Sequence, residues 1–203
     1  VTVINDYVIE RAEELAATID GCRVVIDPID AIADPEVDAV LLATPGPTHE
    51  KQLLACLEHA KPVLCEKPLT TDAATSLEVV KAEAALGKTL IQVGFMRRFD
   101  AEYVELKGLI DSGDLGRPLV VHCVHRNPSV PSHFDSAMVV KDSLVHEVDV
   151  TRFLLDEEIT SVQIIKPLPS SKAPEGLQDP QIAVFSTESG RHVDTEVFVT
   201  TGV

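Results

Sequence analysis

The chain has 203 residues, 45% of them hydrophobic, enough to bury one large core or two small ones. Its 17 basic and 33 acidic residues leave a formal charge of −16. That balance excludes a nucleic-acid or anionic-membrane surface as the main partner, because both need clustered Lys and Arg. Four cysteines (Cys22, Cys56, Cys65 and Cys123) form no C-x-x-C pair, and Cys65 sits in an apolar run where thiols are usually inert. No apolar run approaches the roughly 18 residues of a membrane helix, and no signal peptide is expected. These features predict a reduced, cytoplasmic protein that binds a small molecule. The first residue is Val1, already inside a strand-like run, and the chain stops at Val203 after another. A fragment of a longer chain is therefore expected.

In chain order, residues 1–94 alternate strand and helix. "VTVI" reads as a strand, and "YVIERAEELAATI" as a helix with Val8, Leu15 and Ile19 near helical spacing. "CRVVI" is a second strand, followed by a short helix over 29–33. "VDAVLLAT" is a continuous apolar run of the kind buried on both faces of a parallel sheet. "THEKQLLACLEHA" is a helix with Thr48 as its expected N-cap. "KPVLCE" is a strand, "TDAATSLEVVKAEAALG" a helix ending at Gly87, and "TLIQVG" the next strand. This rhythm predicts a Rossmann-type α/β domain, with a doubly wound parallel sheet.

The rhythm changes after Gly94. "AEYVELKGLIDSG" is a helix, "RPLVVHCVHR" a long strand, and "NPSVPSHFDSAMVVK" a loop leading to the helix "DSLVHEVDVTRFLL". "ITSVQIIK", "PQIAVFSTES" and "RHVDTEVFVT" are successive strands, with a turn at Glu188-Ser189-Gly190. Residues 95–203 are expected to form an α+β domain with an open, mostly antiparallel sheet.

Three segments could carry chemistry. "ATPGPTHE", with Thr44, Pro45 and His49, follows directly on a strand, and in open α/β sheets ligands bind beyond the carboxyl ends of the strands. An ordinary strand-to-helix loop is the reading this segment favours by itself. "CEKPLT" also ends a strand, and places Glu66 and Lys67 side by side. It reads either as a functional pair or as a solvated one before a turn. The third is the helix from Asp142. At 100° per residue, Asp142, His146, Asp149 and Phe153 share an arc of about 60°. Leu144, Val148 and Leu155 lie opposite as the core face, and Ser143 and Glu147 fall between, towards solvent.

A carboxylate beside an imidazole raises its basicity and fixes its orientation, which suits a general base. Asp142 as an N-cap with a solvated His146 is the competing reading. A metal site is disfavoured: "HEVDV" is not H-E-x-x-H, and His122 and His125 point to opposite faces of their strand. No G-x-S-x-G elbow is present. "GFMRRFD", with Arg97 and Arg98, and "HRNPSVPSHFD", with Asn127 and His133, supply further polar groups. A polar connecting loop explains Arg98 and His133.

Taken together, "CEKP", "GFMRRFD", "HRNP" and "KDSLVHEVDV" in this order resemble the glucose–fructose oxidoreductase/inositol dehydrogenase family, over essentially the whole chain. "E-K-P" marks the broad family, and the other three are closer to its inositol dehydrogenases. The resemblance implies NAD as cofactor and oxidation of a ring secondary alcohol to a ketone, with myo-inositol as the expected substrate. It implies Lys67, Asp142 and His146 as catalytic groups: Lys67 on the reacting hydroxyl and the cofactor, His146 as general base, Asp142 orienting it. Arg97 and Asn127 resemble polyol-binding positions, with Asp149 either a further ring contact or a partner that supports the residues around the ring. Asp6, Thr44, Pro45, His49, Glu66, Lys67 and Arg97 match the cofactor side. Asp6 resembles the acid that holds the adenosine ribose hydroxyls, which favours NAD over NADP. The family's G-x-G-x-x-G turn, which seats the pyrophosphate, is expected to precede residue 1. A homotetramer assembled through the open sheet is also implied. The alternatives are a dehydrogenase of another inositol isomer or sugar, a non-catalytic NAD- or sugar-binding regulator, and a metal-dependent lyase or hydrolase.

Overall fold

In the computed structural model, which describes residues 1–202, contacts divide the chain into two units, Val1–Gly94 and a second beginning at Phe95. Val203, the last residue of the second expected domain, lies outside the described residues.

In the first unit, β1 (Val3–Ile4) pairs in parallel with β2 (Arg23–Val24). The strands β3 (Val40–Leu42), β4 (Val63–Cys65) and β5 (Ile91–Val93) form a second parallel sheet in that order. The helices α1 (Ile9–Ala16), α2 (Pro28–Ala33), α3 (His49–Glu58) and α4 (Ala73–Ala85) make the connections. Asp27 and Asp72 cap α2 and α4 through their carboxylates, which satisfies amide groups that the first helical turn leaves open. The core lies where α3 and α4 cover one face of the sheet, with Leu53, Cys56, Val63, Cys65 and Val79 fully buried.

Three sequence expectations change here. The run through β3 is not buried on both faces, since Leu41 is 67% exposed while Leu42 is in the core. Leu64 and Gln92 are exposed on the neighbouring strands. Thr48 does not cap α3. It sits in a 3-10 turn (Gly46–Thr48) that runs into the helix, and its hydroxyl donates back to the Pro45 carbonyl at 2.8 Å. In α1 the buried positions are Ala12 and Ala16, while Leu15 and Val8 are exposed.

The second unit begins with α5 (Ala101–Ser112), capped by Asp100 and stopped by Gly113 at φ 73°. A four-stranded sheet follows, with β6 (Val120–Arg126), β7 (Ile159–Ile165), β8 (Gln181–Thr187) and β9 (His192–Phe198) in the order β6-β9-β8-β7. The pairs β7–β8 and β8–β9 are antiparallel, and β6–β9 is parallel. The sheet is thus mostly antiparallel, as expected, with one parallel pair because the long helical segment separates β6 from the other strands. One face carries Phe185, Val193 and Val197 into a core with Val139, Leu144 and Leu155. The other face is open, with Val120 and Val124 more than half exposed.

Between β6 and β7 the helix starts as α6 (Ser136–Met138), widens into a π-helical turn (Val139–Leu144) and continues as α7 (Val145–Leu155). Asp135, not Asp142, caps it, its carboxylate accepting from the Ala137 and Met138 amides at 2.8 Å. The π turn adds residues per turn and so shifts the phase of everything after it relative to a uniform 100° wheel.

Candidate active site

In the first unit the residues predicted on the cofactor side stand at the carboxyl ends of parallel strands. Asp6 follows β1, Thr44 and Pro45 follow β3, and Glu66 and Lys67 follow β4. Asp6 accepts the Val8 amide at 2.8 Å, which fixes its carboxylate just beyond the strand end. The β3 and β4 loops are joined by His49, the first residue of α3. It has 0% exposure, and its ring nitrogens reach the Pro68 carbonyl at 2.7 Å and the Thr44 carbonyl at 2.8 Å. A ring lodged between two backbone carbonyls shapes the rim and has no edge left for a ligand, so the direct cofactor contact expected of His49 gives way to a positioning role. Thr44 is held in turn by its hydroxyl on Gln52 Oε1 at 2.5 Å.

The loops are packed closely. A Cβ on Gly46 would lie 3.3 Å from Pro68 Cγ, and one on Gly94 would lie 3.4 Å from both the Cys65 carbonyl and Glu66 Oε1. The Lys67–Pro68 peptide is cis. The carboxyl ends of these strands thus bring together a fixed acid, close-packed backbone and a lysine, and ligands of open α/β sheets bind beyond such ends. Burial pushes the Cys65 thiol up to about 12 and the Cys56 thiol up to about 11, so neither is a nucleophile at neutral pH.

In the second unit, α7 is buried almost all round, and its acids are in use. Glu147 and Ser143, expected to face solvent, are 1% and 3% exposed. One oxygen of Glu147 accepts Arg97 Nη1 at 2.5 Å and His125 Nδ1 at 3.1 Å. Its other oxygen, Oε2, is buried without a hydrogen-bond partner among the described residues. Burial pushes the Glu147 carboxyl up, but the His125 hydrogen bond and the Arg97 charge more than offset it, and the group ends below the ordinary glutamate range.

Of the two readings of Asp149, a ring contact or a supporting partner, the structure shows the second: it pairs with Arg98. Arg98 Nε donates to it at 2.9 Å and Nη2 at 2.8 Å, a bidentate pair, and the guanidinium also lies 5.5 Å from the centre of the Phe153 ring. Arg98, read from sequence as a polar loop residue, is thus a fixed structural group. Sequence reasoning missed both pairs. The signal was two adjacent arginines at a strand end set against two acids two residues apart on one helix, since buried charges need partners.

Asp142 is half-buried in the π turn, and His146, in the first turn of α7, has 9% exposure. Asn127 directly follows β6, and its backbone is tied to β9 and beyond by bonds with Phe198 and Thr201. His125 faces α7, while His122 pairs with Asp194 and is exposed. Among the described residues, no three His, Cys, Asp or Glu side chains are grouped to hold a metal ion.

Comparison with known proteins agrees with this division. Residues 1–95 match the model of an oxidoreductase family with an NAD-binding Rossmann fold, and residues 103–202 match the GFO/IDH/MocA C-terminal domain. The chain is 80% identical over all 203 residues to the inositol 2-dehydrogenase of Rhodococcus erythropolis, and covers 59% of it. It is 71% identical to that of Mycolicibacterium smegmatis, again covering 59%. Its fold superposes on the crystal structure of myo-inositol dehydrogenase from Lactobacillus casei in complex with NAD(H) and myo-inositol, with a TM-score of 0.94 and 38% identity. That match covers 100% of this chain and 60% of the other. The chain therefore spans about three fifths of the relatives it matches.

Two predictions follow from the ion pairs. Replacing Arg98 with Met leaves Asp149 buried and uncompensated, and should cost about 3 kcal/mol in denaturant unfolding; a loss below about 0.5 kcal/mol, the range of ordinary surface substitutions, contradicts the pairing. For Glu147 the folded carboxyl lies below its unfolded value, so its stabilising effect is present above about pH 4.3 and is lost as pH falls through the folded value. The Tm gap between the native protein and Glu147→Gln should be widest at neutral pH and narrow as pH falls below about 4.3 towards the lowered folded value; a gap independent of pH would oppose this. From its two domain matches, the chain belongs to the GFO/IDH/MocA oxidoreductase family.

Proposed function

We propose that the protein is an NAD-dependent dehydrogenase of a cyclic polyol, oxidising a ring secondary alcohol of myo-inositol to the 2-ketone. The observation that carries this reading is the set Lys67, Asp142 and His146, in a chain 80% identical to an inositol 2-dehydrogenase across its whole length. Alcohol oxidation requires a proton to leave the hydroxyl as hydride leaves the carbon. His146 accepts that proton at the imidazole. Asp142, one turn earlier, orients the ring and shares the positive charge it gains. The Lys67 ammonium stabilises the alkoxide that develops on the reacting oxygen. NAD, when bound, accepts the hydride.

Arg97 and Asn127 hold the ring hydroxyls, and a neutral, hydroxyl-rich substrate suits such donors and acceptors. Asp6 accepts hydrogen bonds from the adenosine ribose hydroxyls, and its negative charge disfavours a 2′-phosphate, which selects NAD over NADP. Thr44, Pro45 and Glu66 border the cofactor, with His49 setting the shape of their loops. Asp149 is left out of the substrate contacts because Arg98 occupies it. The open face of the β6-β9-β8-β7 sheet, with its exposed Val120 and Val124, supports assembly into a homotetramer. The place of the reaction is the cytoplasm, in inositol breakdown.

NADH formation by the full-length protein, measured against a panel of inositols and hexoses, tests the substrate. Myo-inositol should give the highest kcat/KM, and reduction of NAD only by a hexose would reject it. In the same assay Lys67→Ala and His146→Ala should each lower kcat by about 100-fold or more; near-native turnover in either removes its role. Asp6→Ala should raise the KM for NAD while leaving that for the polyol unchanged; an unaltered NAD KM rejects the ribose contact.

A further inference from the structure

We propose that Glu147 is a positioning residue for substrate binding: its buried carboxylate fixes the Arg97 guanidinium in the orientation that grips the polyol. The proposal rests on the reading of Arg97 as a polyol contact. Arg97 carries a long side chain with about 2 kcal/mol of rotamer entropy, so an unbraced guanidinium would bind a neutral ring weakly. Here it is braced twice. Glu147 Oε1 takes one of its N–H groups at 2.5 Å, and the Tyr103 ring lies 5.8 Å from its central carbon. Its side chain keeps 19% exposure, so donors remain for a ligand.

Glu147 is fixed in its turn. It is 1% exposed, sits one residue after His146 on α7, and is pinned by His125 Nδ1 from β6. One oxygen serves both partners, while the buried Oε2 has none among the described residues. A buried carboxylate with an unpaired oxygen is costly, and is retained most simply where its charge sets a neighbour's geometry. The same carboxylate thus ties the strand before Asn127 and the helix that bears His146 to the guanidinium that would hold the ring.

The test is a double-mutant cycle in the full-length protein, with KM and kcat measured for polyol and for NAD. Glu147→Gln keeps the shape and removes the charge. It should raise the polyol KM about tenfold with kcat nearly unchanged, the signature of lost ground-state binding. Arg97→Met should raise the polyol KM at least as much, and adding Glu147→Gln to it should have no further effect. His125→Gln, a milder loosening of the same carboxylate, should shift the polyol KM in the same direction, and this too should vanish in the Arg97→Met background. If Arg97→Met leaves the polyol KM unchanged, the reading of Arg97 fails and the proposal with it. If Arg97→Met raises it but Glu147→Gln does not, or the two effects multiply, Glu147 is not acting through Arg97 and the proposal alone is overturned.

Discussion

The second unit is organised around one buried negative charge. Glu147, on a helix enclosed on nearly every side, must be compensated or it could not stay ionised inside the fold. The compensation comes from two different places in the chain. Arg97 reaches it from the segment that opens the unit, and His125 from β6. Satisfying that carboxylate therefore fixes the entry segment, the sheet and α7 together. Arg98 and Asp149 repeat the arrangement two residues on, with a bidentate pair braced by Phe153. A helix tied down in this way presents His146 and the π turn carrying Asp142 in a set geometry, the condition that proton transfer at a chosen atom demands.

The first unit solves a related problem with a buried histidine. Loops at the carboxyl ends of strands are the least constrained parts of an α/β sheet, yet a dinucleotide needs them fixed. His49 supplies the constraint by lodging its ring between the Thr44 and Pro68 carbonyls at the start of α3. Gly46 and Gly94 allow the loops to pack with no side chain between them. The result is a rim whose residues hold one another before any ligand arrives.

Much of this was legible in the sequence. The strand–helix alternation up to Gly94 and the later strands follow from apolar runs and turn residues, and the ordered motifs "CEKP", "GFMRRFD", "HRNP" and "KDSLVHEVDV" carried the family. What was not legible depends on facts a periodicity lacks. A uniform helical wheel put Glu147 and Ser143 in water because it knew nothing of the π turn at 139–144, nor of the sheet and helices that enclose α7. Asp149 could still be read as a ligand contact because its partner, Arg98, lies 51 residues away in sequence. The Thr48 cap failed because the preceding 3-10 turn had already begun the helix. Local pattern identifies which residues are unusual; only tertiary contact shows which of them are already occupied.

With Asp149 and Glu147 committed to arginines, the proton chemistry of the proposed reaction falls to His146, Asp142 and Lys67, and ring recognition to Arg97 and Asn127. The account stands on hydride leaving a polyol carbon for NAD as His146 takes the hydroxyl proton. The most direct measurement is the fate of deuterium from myo-inositol labelled at the reacting carbon, followed by mass spectrometry of the reduced cofactor. One deuterium per ketone formed should appear in the reduced nicotinamide. Ketone formation with the label released to water, or no reduction of NAD at all, would contradict the account.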